Sequence, residues 1–260
     1  MMSAKPSRKR SPLKETPLPF AGESLLHEFY DVLVTKCLAW TLVAAMALLS
    51  TATAWWRFYM PATPAPGYTT AIVVPIVVLA VIQVYRGLKK ARQFRLGMEG
   101  EQSVGQTLER MRAHGYEVFH DVPGDGFNVD HVLIGPAGVF VIETKTISKP
   151  ARGISVVKYD GERLWVNGMT PDRDPVGQAR AAAGFVGALL ANTLDKTVAV
   201  RPVVLYPGWF VEKQPRGAEV WVLNPKALAS FVMHEDLCLT LREAAKLADE
   251  LARHVRTRLG

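Results

Sequence analysis

Cysteine is scarce in this chain of 260 residues, which holds only Cys37 and Cys238. They lie far apart in unlike surroundings, so both read as free thiols, and neither a disulfide framework nor a secretory context is implied. No Cys-x-x-Cys or His-Glu-x-x-His occurs, and the six histidines keep no metal-ligand spacing. That sets zinc aside. Internal repeats and a glycine-rich phosphate loop are also missing, so the sequence gives no sign of a repeat array or a P-loop. Charge is missing from two long runs, and these define the N-terminal architecture.

The first run, residues 37–56 (CLAWTLVAAMALLSTATAWW), is 20 residues long; the second, 67–85 (GYTTAIVVPIVVLAVIQVY), has 19. At about 1.5 Å per residue each spans a hydrocarbon core roughly 30 Å thick. Pro75 inside the second run would break a soluble helix but is tolerated in a membrane helix. Trp55, Trp56, Tyr59, Tyr68 and Tyr85 sit at the ends of the runs, where amphipathic rings favour the interface. PATPAPG between them reads as a short proline-rich turn. A signal peptide is the competing reading, because Ala52-Thr53-Ala54 resembles a cleavage site. The segment before the run is too long for one, and the apolar run too extended.

Cations set the expected topology. Lys5, Arg8, Lys9, Arg10, Lys14 and Lys36 precede the first span; Arg86, Lys89, Lys90, Arg92 and Arg95 follow the second. The connecting loop has Arg57 alone. The positive-inside rule places both ends in the cytoplasm and makes the chain a two-span protein of the inner (cytoplasmic) membrane. The expected organisation is a disordered basic cytoplasmic tail (1–33), two transmembrane helices (within 34–86), a basic juxtamembrane linker able to touch anionic lipid (87–96), and an α/β domain (97–260).

The net charge of +7 does not belong to that domain. Residues 1–96 carry 12 Lys+Arg and 4 Asp+Glu, whereas 97–260 carry 19 and 20. The basic balance is therefore no evidence that the domain binds nucleic acid. Along it, Val104, Leu108 and Met111 form a helical stripe over 97–113. Residues 116–122 read as a strand, followed by a PGDGF turn. YDGE between 153–158 and 164–167 signals a hairpin. Asp174-Pro175 caps a helix running to about Leu194. Strands at 200–206 and 219–223, a short helix from Pro225 and a last one over 240–258 complete an α/β sandwich around one sheet.

Residues 128–146, NVDHVLIGPAGVFVIETKT, look like two central strands that nonetheless keep three charges. With Pro136-Ala137 as the turn, Gly135 opposes Gly138, and further down the ladder Asp130 opposes Glu143. Alternation then puts Asp130, Glu143 and Lys145 on one face. Opposed like charges are destabilising, and a divalent cation offsets them. Mg²⁺ takes one or two carboxylates and completes its shell with water and phosphate oxygens. Lys145 can hold a water or meet phosphate charge. The alternative is an ordinary surface ion pair at a strand end. His131 points the other way and reads as structural.

Asp, a spacer of about a dozen residues and Glu-x-Lys form the minimal signature of PD-(D/E)xK nucleases. The longer runs GMEGE (97–101), NVDHVLIGPAGVFVIETK (128–145), LWVNG (164–168) and DPVGQA (174–179) resemble the nuclease-related domain (NERD) family over about 97–205. The resemblance implies a restriction-endonuclease-like fold, a mixed central sheet flanked by helices. It implies Asp130 and Glu143 as metal ligands, with the Thr144 carbonyl beside them, and Lys145 as the catalytic lysine. Glu101 becomes an accessory acid on the first helix; Gln178, read as facing inward with Ala181, Ala182 and Phe185, positions metal-bound water or phosphate. Val129 stands where the superfamily name has proline, which supplies no ligand.

The implied protein is a membrane-anchored hydrolase using Mg²⁺ or Mn²⁺ to cleave phosphodiester bonds in DNA. Lys149, Arg152, Lys158 and Arg163 are candidates for tracking the phosphate backbone, or are ordinary solvated charges. Trp165 reads as packing. The rival expectation is a catalytically silent, membrane-tethered binding module on the same fold, which the near-neutral domain favours.

Overall fold

A computed structural model describes residues 20–60, 67–149 and 155–259. Residues 61–66 of the PATPAPG turn, Arg152 and most of the basic tail lie outside the described residues. The contacts divide the chain into two compact units: Gly22–Ser103 with Lys145–Arg152, and Val104–Thr144 with Gly153–Gly260 and the residues up to Ala21.

The first unit is helical. α1 (Glu23–Val32) leads through a π-helical turn (Leu33–Leu38) into α2 (Ala39–Phe58), and α3 runs from Gly67 to Glu109. Both helices are long and apolar enough to cross a membrane, and only 6% and 17% of their most apolar stretches are buried. The core helix of a soluble protein would be mostly covered. Their covered positions form a regular seam. On one side lie Leu33, Cys37, Trp40, Ala44, Ala47, Thr51 and Ala54; on α3 lie Val73, Ala80, Gly87 and Ala91. Spacings alternating between four and three residues are the heptad period, which keeps one stripe of each helix against the other. Small residues bring the backbones close. A Cβ on Gly87 would lie 2.9 Å from the Cys37 Sγ, and Trp55 Nε1 donates to Thr70 Oγ1 across the pair at 3.1 Å.

Two expected boundaries are corrected here. Residues 87–96 are helix, because RGLKKARQFR contains good helix formers and Arg95 pairs with Glu99 one turn on at 2.9 Å. The helix expected from Gly97 therefore begins at Gly67. Residues 23–32, expected within the disordered tail, form α1; a Cβ added at Gly97 would lie 3.3 Å from Leu25, so α1 packs on α3 there.

The second unit holds the strands β1 (Glu117–Pro123), β2 (Asn128–Gly135), β3 (Gly138–Thr144), β4 (Val156–Tyr159), β5 (Leu164–Val166), β6 (Val200–Leu205), β7 (Phe210–Val211) and β8 (Trp221–Leu223). Its helices are α4 (Pro175–Leu190), α5 (Pro225–Met233) and α6 (Leu241–Leu259). One mixed sheet has the order β1-β2-β3-β6-β8, antiparallel through β3 and parallel beyond it. The YDGE hairpin does not join it, contrary to the single sheet expected; β5-β4-β7 form a second, small sheet. The two-residue segment of β7 is too short to register as a periodic signal.

Side-chain alternation sorts the core. Val132, Ile134, Val139 and Val141 pack on Ala182 and Val186 of α4 and on Leu247, Leu251 and Val255 of α6. Leu133, Phe140 and Ile142 pack on Val104, Leu108, Leu228 and Val232. The small sheet closes a third cluster over Val176, Ala179, Val204 and Tyr206. Local signals fix the helix ends. Asp174 accepts from the Val176 and Gly177 N–H groups at 3.1 and 3.0 Å. Thr240 and Glu243 form a capping box at the start of α6; Lys196, then the Thr240 N–H and O–H, hold the Glu243 carboxyl at about 2. At the sheet's edge the outward N–H of Val222 is taken by the side-chain oxygen of Gln214 at 2.8 Å.

The β2–β3 turn has the expected register, Gly135 opposite Gly138. Gly138 adopts φ 117°, open to glycine. Gly135 is needed for a different reason: a Cβ there would sit 2.2 Å from the buried Tyr116 ring. Gly135→Ala is expected to destabilise the protein by about 1–3 kcal/mol, the usual cost of overpacking. Thermal unfolding of the full chain in detergent checks this, and an unchanged midpoint would show that the ring gives way freely.

Candidate active site

At Asp130, β2 skips a rung of its ladder with β1 and has already left its ladder with β3. On the β1 side the rungs pass from His120–His131 to Val122–Val129, skipping Asp121–Asp130. On the β3 side the last rung is His131–Ile142, one short of the expected Asp130–Glu143. Asp121, nearly buried, takes a left-handed φ of 48°. Val129 and Val132 both pack in the α4–α6 core, so strict alternation fails between them. The face of Asp130 therefore does not follow from counting residues. A hydrogen bond places it: its Oδ2 accepts from the Thr144 N–H at 2.7 Å, which sets the carboxylate against the peptide joining Glu143 to Thr144.

Glu143 does follow from alternation. It continues the row of Val139 and Val141 toward α4, and its parallel partner is Val204 of β6. It is half-buried. Two residues past Val204 comes Tyr206, fully buried, in the same cluster. Burial first, and then the negative charge of Glu143, push the Tyr206 hydroxyl's pKa up. Thr144 is 8% exposed; its N–H is committed to Asp130.

Glu101 and Lys145 belong to the helical unit. Glu101 is 8% exposed, as its shared stripe with Val104 and Leu108 requires. Lys145 is half-buried. A Cβ on Gly100 would clash with Thr146 Oγ1, so the segment following Thr144 in the chain crosses α3 at Gly100. Glu101 and Lys145 are the immediate neighbours of that crossing point.

Gln178 is a correction. The inward reading grouped it with Ala181, Ala182 and Phe185, yet Gln178 and Ala181 are exposed while Ala182 and Val186 are buried. Its side chain makes no hydrogen bond to Asp130 or Glu143. The apolar stripe of α4 is set by Val176, Ala179, Ala183, Val186 and Leu190, and Gln178 lies off it. Lys149, Lys158 and Arg163 are exposed.

Sequence reasoning passed over Asp121 and Tyr206. The first is legible in register, since it stands where a rung with Asp130 would fall. The second needs the β3–β6 pairing, which no local signal gives. Four buried side-chain atoms have no hydrogen-bond partner among the described residues: His131 Nε2, Thr144 Oγ1, Thr146 Oγ1 and Tyr206 Oη. Three belong to residues next in sequence to Asp130, Glu143 and Lys145, and the fourth shares a face with Glu143. Buried polar groups are normally paired, and exceptions concentrate where a site is kept for something else.

His131 is fully buried on the side away from Glu143. Its Nδ1 lies 2.8 Å from His120 Nδ1, and His120 Nε2 lies 3.1 Å from Glu109 Oε1. Only one of the two facing nitrogens carries a proton. Burial first, then the charge of His120, pull His131 down to about 3.

The donor set at the hairpin is all oxygen: two carboxylates and the Thr144 carbonyl. That chemistry suits a hard divalent cation which keeps several waters. No group of three or more His, Cys, Asp or Glu is placed to hold a metal among the described residues, so water and phosphate oxygens would complete the shell. The class is thus a mixed α/β domain with a carboxylate pair at a break in its central hairpin. Residues 96–207, less than half of the chain, match the family model of the nuclease-related domain, NERD. No curated protein and no solved structure matches the chain.

The His131 geometry predicts a pH dependence. With its folded value near 3 against an ordinary 6.5, the unfolded chain binds the extra proton. The stabilisation is complete above about 6.5 and drains away as pH falls toward 3. Melting curves between pH 7 and 4 should fall more steeply for the wild type than for His131→Asn; parallel curves would refute the assignment.

Proposed function

We propose that the protein is a membrane-anchored, Mg²⁺- or Mn²⁺-dependent nuclease with a restriction-endonuclease-like domain, hydrolysing phosphodiester bonds in DNA. The observation that carries this reading is the Asp130 carboxylate bonded to the Thr144 N–H beside Glu143, within the segment that matches the nuclease-related domain. When bound, such a cation polarises the scissile phosphate and stabilises the leaving oxygen.

The chain's own residues have distinct tasks in this account. Asp130, Glu143 and the Thr144 carbonyl hold the cation. The hydrogen bond from Thr144 fixes one oxygen of Asp130. Lys145, next along the chain, orients the attacking water and offsets negative charge developing on the phosphate. Glu101 takes part as an accessory acid. Gln178, exposed on α4, meets water or phosphate from the solvent side. Lys149, Arg152, Lys158 and Arg163 track the backbone of the bound strand. The two long apolar helices cross the bilayer, and the cations flanking them keep the N-terminus and the nuclease domain on the cytoplasmic side.

One observation favours a second reading, a silent membrane-tethered binding module: the described residues offer no third carboxylate or histidine to the pair. The full chain in detergent, assayed on single-stranded, double-stranded and branched DNA and on RNA, separates the two. The nuclease reading expects cleavage that needs Mg²⁺ or Mn²⁺ and stops with chelator. Glu143→Gln and Lys145→Ala are each expected to reduce it by about 10²–10³-fold, the usual cost of losing one group that stabilises transition-state charge. Equal behaviour of wild type and Glu143→Gln would establish the binding module.

A further inference from the structure

Tyr206 is a buried polar group to which neither the fold nor the proposed chemistry has given a task. It is fully buried, yet its hydroxyl has no hydrogen-bond partner among the described residues. A buried hydroxyl left without a partner is costly, and phenylalanine would fill the same volume without it. A tyrosine retained here therefore asks for an acceptor that is present only in some state of the protein.

The sheet identifies the acceptor. β3 and β6 run parallel with Glu143 beside Val204 and Thr144 beside Leu205. Tyr206 follows Leu205, its N–H held by the Leu223 carbonyl at 2.9 Å, so the strand direction persists through it. Side chains two apart share a face; Val204 and Tyr206 do so in one cluster with Ala179 and Val176 of α4. Glu143, Val204 and Tyr206 thus line the same side of two adjoining strands. Tyr206 is shielded by Trp209, Val220 and Val222 of its own cluster, none of which offers a side-chain carboxylate or carbonyl. Glu143 is the acidic group whose charge is felt at the phenol.

We propose that Tyr206 is a positioning residue: its phenolic O–H donates to the Glu143 carboxylate when that carboxylate turns to hold a divalent cation. The bond fixes one carboxylate oxygen from behind and aims the other at the ion. Asp130 is fixed in the same manner by the Thr144 N–H. Residues orienting a ligand are commonly worth about 10–100-fold in metal affinity. This inference rests on the metal-dependent reading above.

The test uses the full chain in detergent, with Mn²⁺ binding followed by the electron paramagnetic resonance of the free ion. Tyr206→Phe keeps the ring and removes only the donor. Its Mn²⁺ dissociation constant is expected to rise about 10-fold or more, while the melting temperature of the metal-free protein stays level or rises. In a Glu143→Gln background the same change should cause no further loss, because the two side chains act as a pair. Equal Mn²⁺ affinity of wild type and Tyr206→Phe would overturn the assignment and leave the nuclease reading standing. A large drop in metal-free melting temperature would also overturn it, by revealing a structural partner for the hydroxyl. A wild type that binds no Mn²⁺ would remove the metal-dependent reading, and this inference with it.

Discussion

A single hydrogen bond, from the Thr144 N–H to the Asp130 carboxylate, organises the end of the central hairpin. Backbone N–H groups of a central strand normally find carbonyls on the next strand. Here β2 has already left its ladder, and an acid side chain takes the carbonyl's place. The exchange has two effects. It terminates pairing without leaving the Thr144 donor orphaned, and it brings a negative group to the peptide after Glu143. A strand end that would otherwise fray is pinned there, with Glu143 and Lys145 on either side of Thr144 in the chain.

The rest of the second unit can be understood as support for that point. β3 lies in the middle of the five-stranded sheet, covered by α4 and α6 on one side and by Val104, Leu108 and α5 on the other. Such a strand has no freedom to shift, because moving it by one residue would exchange the two cores. The turn at Pro136-Ala137 and the close packing of Gly135 on Tyr116 lock the other end. Only the end bearing Asp130 departs from regular pairing, and the unsatisfied polar atoms gather there.

Much of this arrangement was legible from residues alone. The hairpin register from Gly135–Gly138 to His131–Ile142 followed from the turn, and the Asp174-Pro175 cap from residue type. The acid pair could be named because charges are costly among valines and isoleucines. What local reading missed depends on distant partners. Alternation placed Gln178 wrongly because an alanine-rich helix has no sharp apolar stripe, and Ala181 can lie on either side at little cost. Tyr206 was invisible until β6 was known to run beside β3. The helical linker was missed because a change in composition, from apolar to basic, was taken for a change in structure. A helix crosses such a change readily when its residues favour helix throughout.

The Gln214 side chain at the edge of the large sheet has a consequence of its own. A bare edge strand is a template on which another molecule's strand can zip up. By occupying the outward N–H of Val222, one amide oxygen denies neighbouring copies their first point of attachment. Copies of the domain brought close together are thereby kept from adding strand to strand.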